Sequence, residues 1–211
     1  MGGTRETTSV FVEHHPVTAS KRVTLCLLLA ALLAAPPVHS TDVVDEVVGG
    51  VLNHDVRFAG GIESGADINM EVMFVSPLLP SSTASRFVHS LFRVQPAIGV
   101  ELNTAGAASQ AYADAVWTLP LVGSAVKWQD RNSAFVRIGG GGAVNNGSRN
   151  SYDSDRKSLG SHVLFHASGE LGVRAWRQVD LSVYFDHSSN AGLCRSNDSI
   201  NDFGIRLGWV R

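Results

Sequence analysis

The stretch Phe203-Gly204-Ile205-Arg206-Leu207-Gly208-Trp209 stands close to the C-terminus and alternates strictly between large apolar side chains and small or charged ones. A period of two residues predicts a β-strand, because successive side chains of a strand point to opposite faces. One face of this strand is apolar throughout. The other carries Arg206 between two glycines. The stretch therefore predicts a strand between an apolar and a polar environment.

The same alternation recurs along most of the chain after residue 41. The clearest alternating segments are 66–74, 92–102, 163–173 and 179–185. Weaker strand candidates are the alanine-rich segment 107–119, the segment 133–143 with its glycine run 139–142, and the segment 54–62, which we expect to pair with 66–76 across a turn at 63–65. Connections rich in Ser, Asn, Pro and Gly separate the candidates. Together with the terminal strand they predict about eight strands in an all-β fold.

Charges on the polar faces help to choose between a soluble and a membrane barrel. A soluble barrel buries its apolar face, whereas a membrane barrel turns that face to lipid and encloses a polar interior. Charges of both signs lie in the polar series and could pair inside a narrow barrel: Arg93, Glu101, Arg137, Glu170, Arg174 and Arg206. The amphipathic last strand, with an aromatic residue near its end, is similar to the final strand of outer-membrane proteins. We therefore predict an eight-stranded antiparallel transmembrane β-barrel of the outer membrane.

The N-terminal segment 1–40 has the pattern of an export signal. Lys21 and Arg22 precede an apolar run at 23–35, which is shorter than the roughly 20 residues of a spanning helix. Cleavage after Ser40 would leave residues 41–211 as a single barrel domain with Cys194 as its one cysteine, so no internal disulfide is expected. The net charge is −2 without a basic cluster, which argues against a nucleic-acid partner.

Candidate chemistry lies in the stretch 185–192, Phe-Asp-His-Ser-Ser-Asn-Ala-Gly, where alternation gives way to a loop. If the strand continues to its end, Phe185, His187 and Ser189 share the apolar, outward face. A hydroxyl beside an imidazole is the minimum for an activated nucleophile. The alternative is a polar rim on a hairpin without catalytic function.

The stretch 187–192 resembles the His-x-Ser-Asn-Ala signature of the lipid A 3-O-deacylases, the PagL family. Four other features also match the family: the strand order, the glycine-rich segment 139–142, the export signal and the place of the motif before the last strand. The resemblance therefore covers essentially the whole mature chain. It implies an eight-stranded outer-membrane barrel that hydrolyses the ester-linked acyl chain at position 3 of lipid A. It puts the base at His187 and the nucleophile at Ser189, and it assigns oxyanion stabilisation to Asn190.

The third member of the site departs from the family. The family has an acidic residue, usually Glu, fourteen positions after the histidine, and here that position is Asn201. The neighbouring Asp202 is acidic, but parity turns it into the barrel interior, whereas Asn201 shares the face of His187. An asparagine can accept an imidazole N–H, as in Cys-His-Asn sites, yet it supplies no negative charge. Intact, reduced and absent activity all stay open.

No cofactor and no metal are expected. His162 and His166 would suggest a metal site on a helix, but on a strand they stand roughly 13 Å apart at ~3.3 Å per residue. The expected partners are lipid A or lipopolysaccharide as substrate and the surrounding membrane lipids. Whether two copies form a homodimer stays open.

Two other functions remain as alternatives at this point. One is a non-catalytic small outer-membrane barrel with a structural or binding role. The other is a soluble periplasmic barrel that binds an apolar ligand. The second alternative would bury the apolar face and place His187 in the core, so the orientation of that face distinguishes it.

Overall fold

The computed structural model describes residues 43–56, 62–77, 93–122, 134–176 and 178–211. They form a closed antiparallel barrel of eight strands, in which each strand pairs with its sequence neighbours and the first pairs with the last. The strands are β1 Val44–Asn53, β2 Ala66–Phe74, β3 Val94–Asn103, β4 Gln110–Val122, β5 Ala134–Asn145, β6 Val163–Trp176, β7 Val179–Ser189 and β8 Ile200–Val210. In these ranges no helix is both long and apolar enough to cross a membrane. The predicted export signal, 1–40, lies outside the described residues.

The barrel wall has the reverse polarity of a soluble barrel. On β7 and β8 the outward side chains are apolar and 43–59% exposed: Leu181, Val183, Phe185, Phe203, Ile205, Leu207 and Trp209. Inward positions carry charged side chains that are at most 5% exposed: Glu71, Glu101, Arg137, Glu170, Asp180 and Arg206. An apolar exterior around a polar interior is the arrangement of a membrane barrel. The predicted eight-stranded antiparallel barrel is confirmed. The alternative interpretation, a soluble periplasmic barrel, is wrong.

Ion pairs fill the interior and connect distant strands. Arg137 of β5 contacts Asp180 of β7, with Nη2 at 3.0 Å from Oδ2, and Arg206 of β8 donates to Glu71 of β2 at 2.8 Å. Removing one partner of such a buried pair costs about 3–5 kcal/mol, because the other charge is left uncompensated. Arg93 was expected inside the barrel, but it lies just before β3 with 38% of its side chain exposed. The pairs across the lumen therefore brace the wall from within.

The first strand lies earlier in the chain than predicted. The segment 54–62 begins with a turn at His54 and Asp55, where Asp55 has a φ of 52°, and residues 57–61 lie outside the described ranges. The strand β1 precedes that turn. Its inward positions carry Val48 and Leu52, both 1% exposed, and valines occupy the outward positions beside them. Because β1 is apolar on both faces from Val47 to Leu52, it lacks there the alternation by which the other strands were predicted.

The pairing of β7 with β8 determines which side chains meet at the loop end of the barrel. The register runs without a shift and sets His187 opposite Asn201 and Asp186 opposite Asp202. The strand β7 continues through Ser189, as the parity argument required. His187 and Asn201 are half-buried on the outward face, whereas Asp186 and Asp202 are buried in the lumen. One pair of strands thus presents two distinct polar groups, one on each face of the wall.

Candidate active site

His187 and Ser189 lie on the outward face at the end of β7, two residues apart on one strand. The Nε2 atom of His187 is 3.0 Å from the hydroxyl oxygen of Ser189. Ser189 is 9% exposed, so the hydroxyl is largely shielded while its imidazole partner is half-buried. This is a hydrogen-bond distance, and it is short enough for the imidazole to act as a base that takes the hydroxyl proton.

Asn201 of β8 lies against the other nitrogen of the imidazole. Its Oδ1 atom is 2.7 Å from His187 Nδ1, and its Nδ2 atom is 3.4 Å from the hydroxyl of Ser199. In this orientation of the amide the Ser199 hydroxyl accepts from Nδ2, while Oδ1 faces the ring. With Oδ1 as acceptor, Nδ1 carries the proton and Nε2 keeps its lone pair for Ser189. The three side chains therefore form a continuous hydrogen-bonded series along the outer wall.

Asp202 belongs to the interior and does not contact His187. It is 1% exposed, and its Oδ1 atom accepts the backbone N–H of Asp55 at 2.8 Å and lies 3.2 Å from His54 Nδ1. Because β8 has no bulge beside β7, parity places Asn201 rather than Asp202 at the ring. The acid that the sequence places next to Asn201 serves the luminal network instead.

The side chain of Asn190 organises the loop after β7. Its Nδ2 atom donates to the carbonyls of Leu159 at 2.8 Å and Ser196 at 2.7 Å, and its Oδ1 atom accepts from the N–H of Gly192 at 3.0 Å. Both amide hydrogens are thus committed to backbone acceptors. The oxyanion role predicted for Asn190 would require it to give up one of these bonds, so its contacts favour a structural role.

Two loops pack together next to the site, and sequence reasoning did not identify them as part of it. Lys157 forms an ion pair with Asp55 and donates to the carbonyl of Ser199. Gly160 has a φ of 73°, and a Cβ atom there would come within 2.0 Å of the Ser196 carbonyl, so only glycine allows this approach. No local pattern marks these residues, because their partners are far away in sequence.

A charged cluster around His54 anchors the same end of the barrel. Burial alone would lower the pKa of His54, but hydrogen bonds to Asp202, Asp67 and Glu63 outweigh burial and raise this pKa to about 12. Burial would likewise raise the pKa of Glu63, but its hydrogen bond to His54 contributes to a net lowering. His54 is therefore a cation at neutral pH, held among carboxylates beside the start of β8.

One family model matches the chain over more than half of its length. The family model described as lipid A 3-O-deacylase, PagL, matches residues 86–210. Among solved structures, the outer membrane enzyme PagL has 20% sequence identity and a TM-score of 0.58, and the match covers 79% of this chain and 99% of that one. The N-terminal β-barrel domain of OprF from Pseudomonas aeruginosa has 11% identity and a TM-score of 0.43, with coverage of 78% and 98%. No curated protein matches.

The family match extends from before β3 to the end of β8 and so includes the Ser189–His187–Asn201 series. The likeness to the solved enzyme independently supports the barrel fold. The chain is therefore an outer-membrane β-barrel, and it belongs to the lipid A 3-O-deacylase family, PagL.

Proposed function

We propose that this chain hydrolyses the 3-O-linked acyl ester of lipid A with Ser189 as nucleophile, His187 as base and Asn201 as the residue that positions the imidazole. The observation that carries the proposal is the unbroken series of hydrogen bonds, 3.0 Å and 2.7 Å long, on the lipid-facing side of the wall. A polar hairpin rim without function would not need these groups aligned in this order.

The proposed reaction follows from the protonation state of the ring. His187 Nε2 takes the proton from Ser189 while the serine oxygen attacks the ester carbonyl carbon. The ring then gives this proton to the ester oxygen of the sugar as the bond to the acyl carbon breaks. The sugar leaves with a free hydroxyl, and an acyl-serine remains. Water attacks the acyl-serine with His187 again as base, which releases the fatty acid and restores the serine hydroxyl. Asn201 Oδ1 accepts the hydrogen bond from Nδ1–H throughout and so keeps the lone pair of Nε2 directed at Ser189.

A strip of small outward residues beside the site supports an acyl substrate. The backbone register aligns His187 with Ala167 of β6, Gly140 of β5 and Ala115 of β4. The next outward row toward the chain termini carries Ile138, which is 52% exposed. A shallow apolar strip beside the bulkier row at Ile138 could hold an acyl chain along the barrel surface, with its ester at Ser189.

The position of the site along the barrel suits a substrate of the outer leaflet. With both ends of the barrel domain in the periplasm, the loop between β7 and β8 faces the cell exterior. Ser189 then lies at the level where lipid A is anchored. An association of two copies would have to leave the strip at Ala167 and Gly140 open to lipid.

The test is mass spectrometry of lipid A from cells that express the chain. We expect loss of one 3-O-linked acyl chain with the wild type and no loss with Ser189→Ala or His187→Ala, because removal of a nucleophile or base costs several orders of magnitude in rate. Ser188→Ala is the matched control. Its hydroxyl points inward and donates to Gln110 at 2.8 Å. Full activity of Ser189→Ala would refute the proposed nucleophile.

The second candidate is a non-catalytic barrel that binds lipid A. The observation in its favour is Asn201, which leaves His187 without a carboxylate. Unchanged lipid A in cells that hold folded wild-type protein would support this candidate against hydrolysis.

A further inference from the structure

A second polar cluster lies directly behind the candidate active site, on the luminal face of the wall. Glu101 of β3, His166 of β6 and Asp186 of β7 each direct a potential ligand atom to one point, and these atoms all lie within 4.8 Å of one another. The three residues are at most 2% exposed. Such a group of buried carboxylates with a histidine needs a compensating charge or shared protons.

His166 is oriented as metal-bound histidines are. Its Nδ1 atom is 2.7 Å from Oδ2 of Asp114, and its ring stacks on Tyr112 with the centroids 4.4 Å apart. A histidine that donates one N–H to a carboxylate keeps a lone pair on its other nitrogen, and this arrangement is typical of the second shell of a metal site. The Nε2 atom is buried and has no hydrogen-bond partner among the described residues.

The carboxylates of the cluster also have unused capacity. Within the described part of the chain no N–H or hydroxyl group donates to either oxygen of Asp186, and its carboxyl group lies beside that of Glu101, close enough for the two to share a proton. Glu101 accepts from Asn69 at 3.1 Å and from Gln110 at 2.5 Å, one donor on each oxygen. Each of these oxygens retains a lone pair. The cluster thus offers one nitrogen and two carboxyl groups, and a metal ion would take the place of the proton that the two carboxyl groups share.

A similar group at His54, Asp67 and Asp202 serves as an internal comparison. There both ring nitrogens are already bonded, Nδ1 to Asp67 at 2.7 Å and Nε2 to Glu63 at 3.2 Å. That imidazole is the cation of its own cluster and has no lone pair to offer. The composition of the two groups is alike, but only at His166 can the imidazole bind a metal without losing one of its own hydrogen bonds.

We propose that Glu101, His166 and Asp186 bind one divalent transition-metal ion of the Zn²⁺ type in the barrel lumen. Imidazole nitrogen with carboxylate oxygen is a ligand set that suits Zn²⁺, whereas Mg²⁺ and Ca²⁺ prefer oxygen alone. The ion would join β3, β6 and β7. It would fix Asp186, which precedes His187 on β7 and points to the opposite face.

Sequence reasoning did not predict this site because it compared His166 only with His162 on the same strand. The proposed ligands come from three different strands. Ligands about 2.0–2.2 Å from one tetrahedral ion are about 3.3–3.6 Å apart, so ligand atoms that lie within 4.8 Å of one another would have to move together by up to about 1.5 Å to bind it. Gly141 makes room behind the site, since a Cβ atom there would lie 2.5 Å from Asp114 Oδ1.

The experiment measures bound metal and thermal stability of the barrel, produced without a histidine tag and refolded in detergent with Zn²⁺ or with a chelator. We expect about one Zn²⁺ per wild-type chain after dialysis, measured by plasma mass spectrometry, and an unfolding midpoint that is higher in Zn²⁺ than in chelator. His166→Gln and Asp186→Asn should bind none. His162→Gln removes an exposed histidine four positions away and should retain the metal.

Asp186→Asn keeps the proposal testable if His166→Gln fails to fold. In chelator this variant should be at least as stable as the wild type, because it removes one of two adjacent carboxylates, and Zn²⁺ should not change its midpoint. Equal wild-type midpoints in Zn²⁺ and chelator, with no stoichiometric metal, would overturn the proposal in favour of a shared proton. Loss of Zn²⁺ in His162→Gln but not in His166→Gln would overturn it as well. Neither readout depends on the deacylase activity.

Discussion

Asn201→Asp is the substitution that tests the candidate site most directly. Asparagine and aspartate have the same shape, so the carboxylate oxygen should occupy the position of Oδ1, 2.7 Å from His187 Nδ1. The Ser199 hydroxyl, 3.4 Å from Nδ2, can rotate and donate to the second oxygen. The substitution thus adds a negative charge beside the ring without a change of packing.

The expected gain follows from Coulomb's law. As Ser189 transfers its proton, the ring becomes an imidazolium, and its charge centre would be about 4 Å from that of the new carboxylate. At this separation the attraction is about 1 kcal/mol in water and about 4 kcal/mol at an effective dielectric constant of ~20. His187 and Asn201 are half-buried, so the gain should lie between these limits. This corresponds to a kcat increase of roughly five- to a thousandfold.

The assay is the initial rate of fatty-acid release from lipopolysaccharide at equal amounts of folded protein. The gain should appear in kcat with KM nearly unchanged, because the charge acts only when the ring is protonated. Asn201→Glu should also raise the rate if its longer chain can fold back against the ring. Asn201→Ala should lower the rate, since the ring loses its acceptor. Asp202→Asn is the control, because it changes the charge of a neighbouring residue that faces the lumen. It should leave kcat unaltered.

A rate for Asn201→Asp equal to or below that of the wild type would contradict the expected stabilisation of the imidazolium by a carboxylate at position 201. It would mean that the ring needs no charge from this position, or that a different group orients it. Loss of activity in Asp202→Asn together with full activity in Asn201→Ala would indicate that β8 is shifted by one residue in the membrane.

Three further predictions address the surface, the orientation and the anchoring cluster. Gly140→Leu should lower kcat/KM about tenfold, because occlusion of about two methylenes of acyl contact costs about 1.6 kcal/mol; Val47→Leu on the opposite wall should not, and equal rates for both would argue against the strip. Cys194 should react with a membrane-impermeant thiol reagent in intact cells, and labelling only after lysis would contradict the orientation. The raised pKa of His54, about 12, means that its contribution to stability is complete below its unfolded value of 6.5 and declines as pH rises toward 12. The difference in unfolding midpoint between wild type and His54→Gln should therefore shrink from pH 6 to pH 10, whereas His162→Gln should show no such trend.

The strands and the face of each candidate residue could be predicted because both depend on local alternation. In the segments 179–185 and 203–209 an apolar residue recurs at every second position, so parity alone assigned His187, Ser189 and Asn201 to one face and Asp202 to the other. The structure agrees for all four. The first strand was assigned to the wrong segment because β1 is apolar on both faces from Val47 to Leu52, and periodicity carries no signal there.

Contacts between distant parts of the chain were beyond prediction. The amide of Asn190 joins two loops whose approach depends on Gly160 and on the hydrogen bond from Lys157 to the carbonyl of Ser199. The cluster at His166 likewise gathers residues from three strands, whose register only the closed barrel determines.

The two faces of β7 explain how a reactive series can be kept on a lipid-facing surface. Outward, His187 and Ser189 have few polar neighbours to hold them, since the surrounding side chains are apolar. Inward, Ser188 donates to Gln110 at 2.8 Å and Asp186 enters the cluster with Glu101. A slip of β7 by one residue would break these luminal contacts and also reverse every side chain of the strand. The polar interior therefore sets the register of β7, and this register places His187 and Ser189 on the outward face.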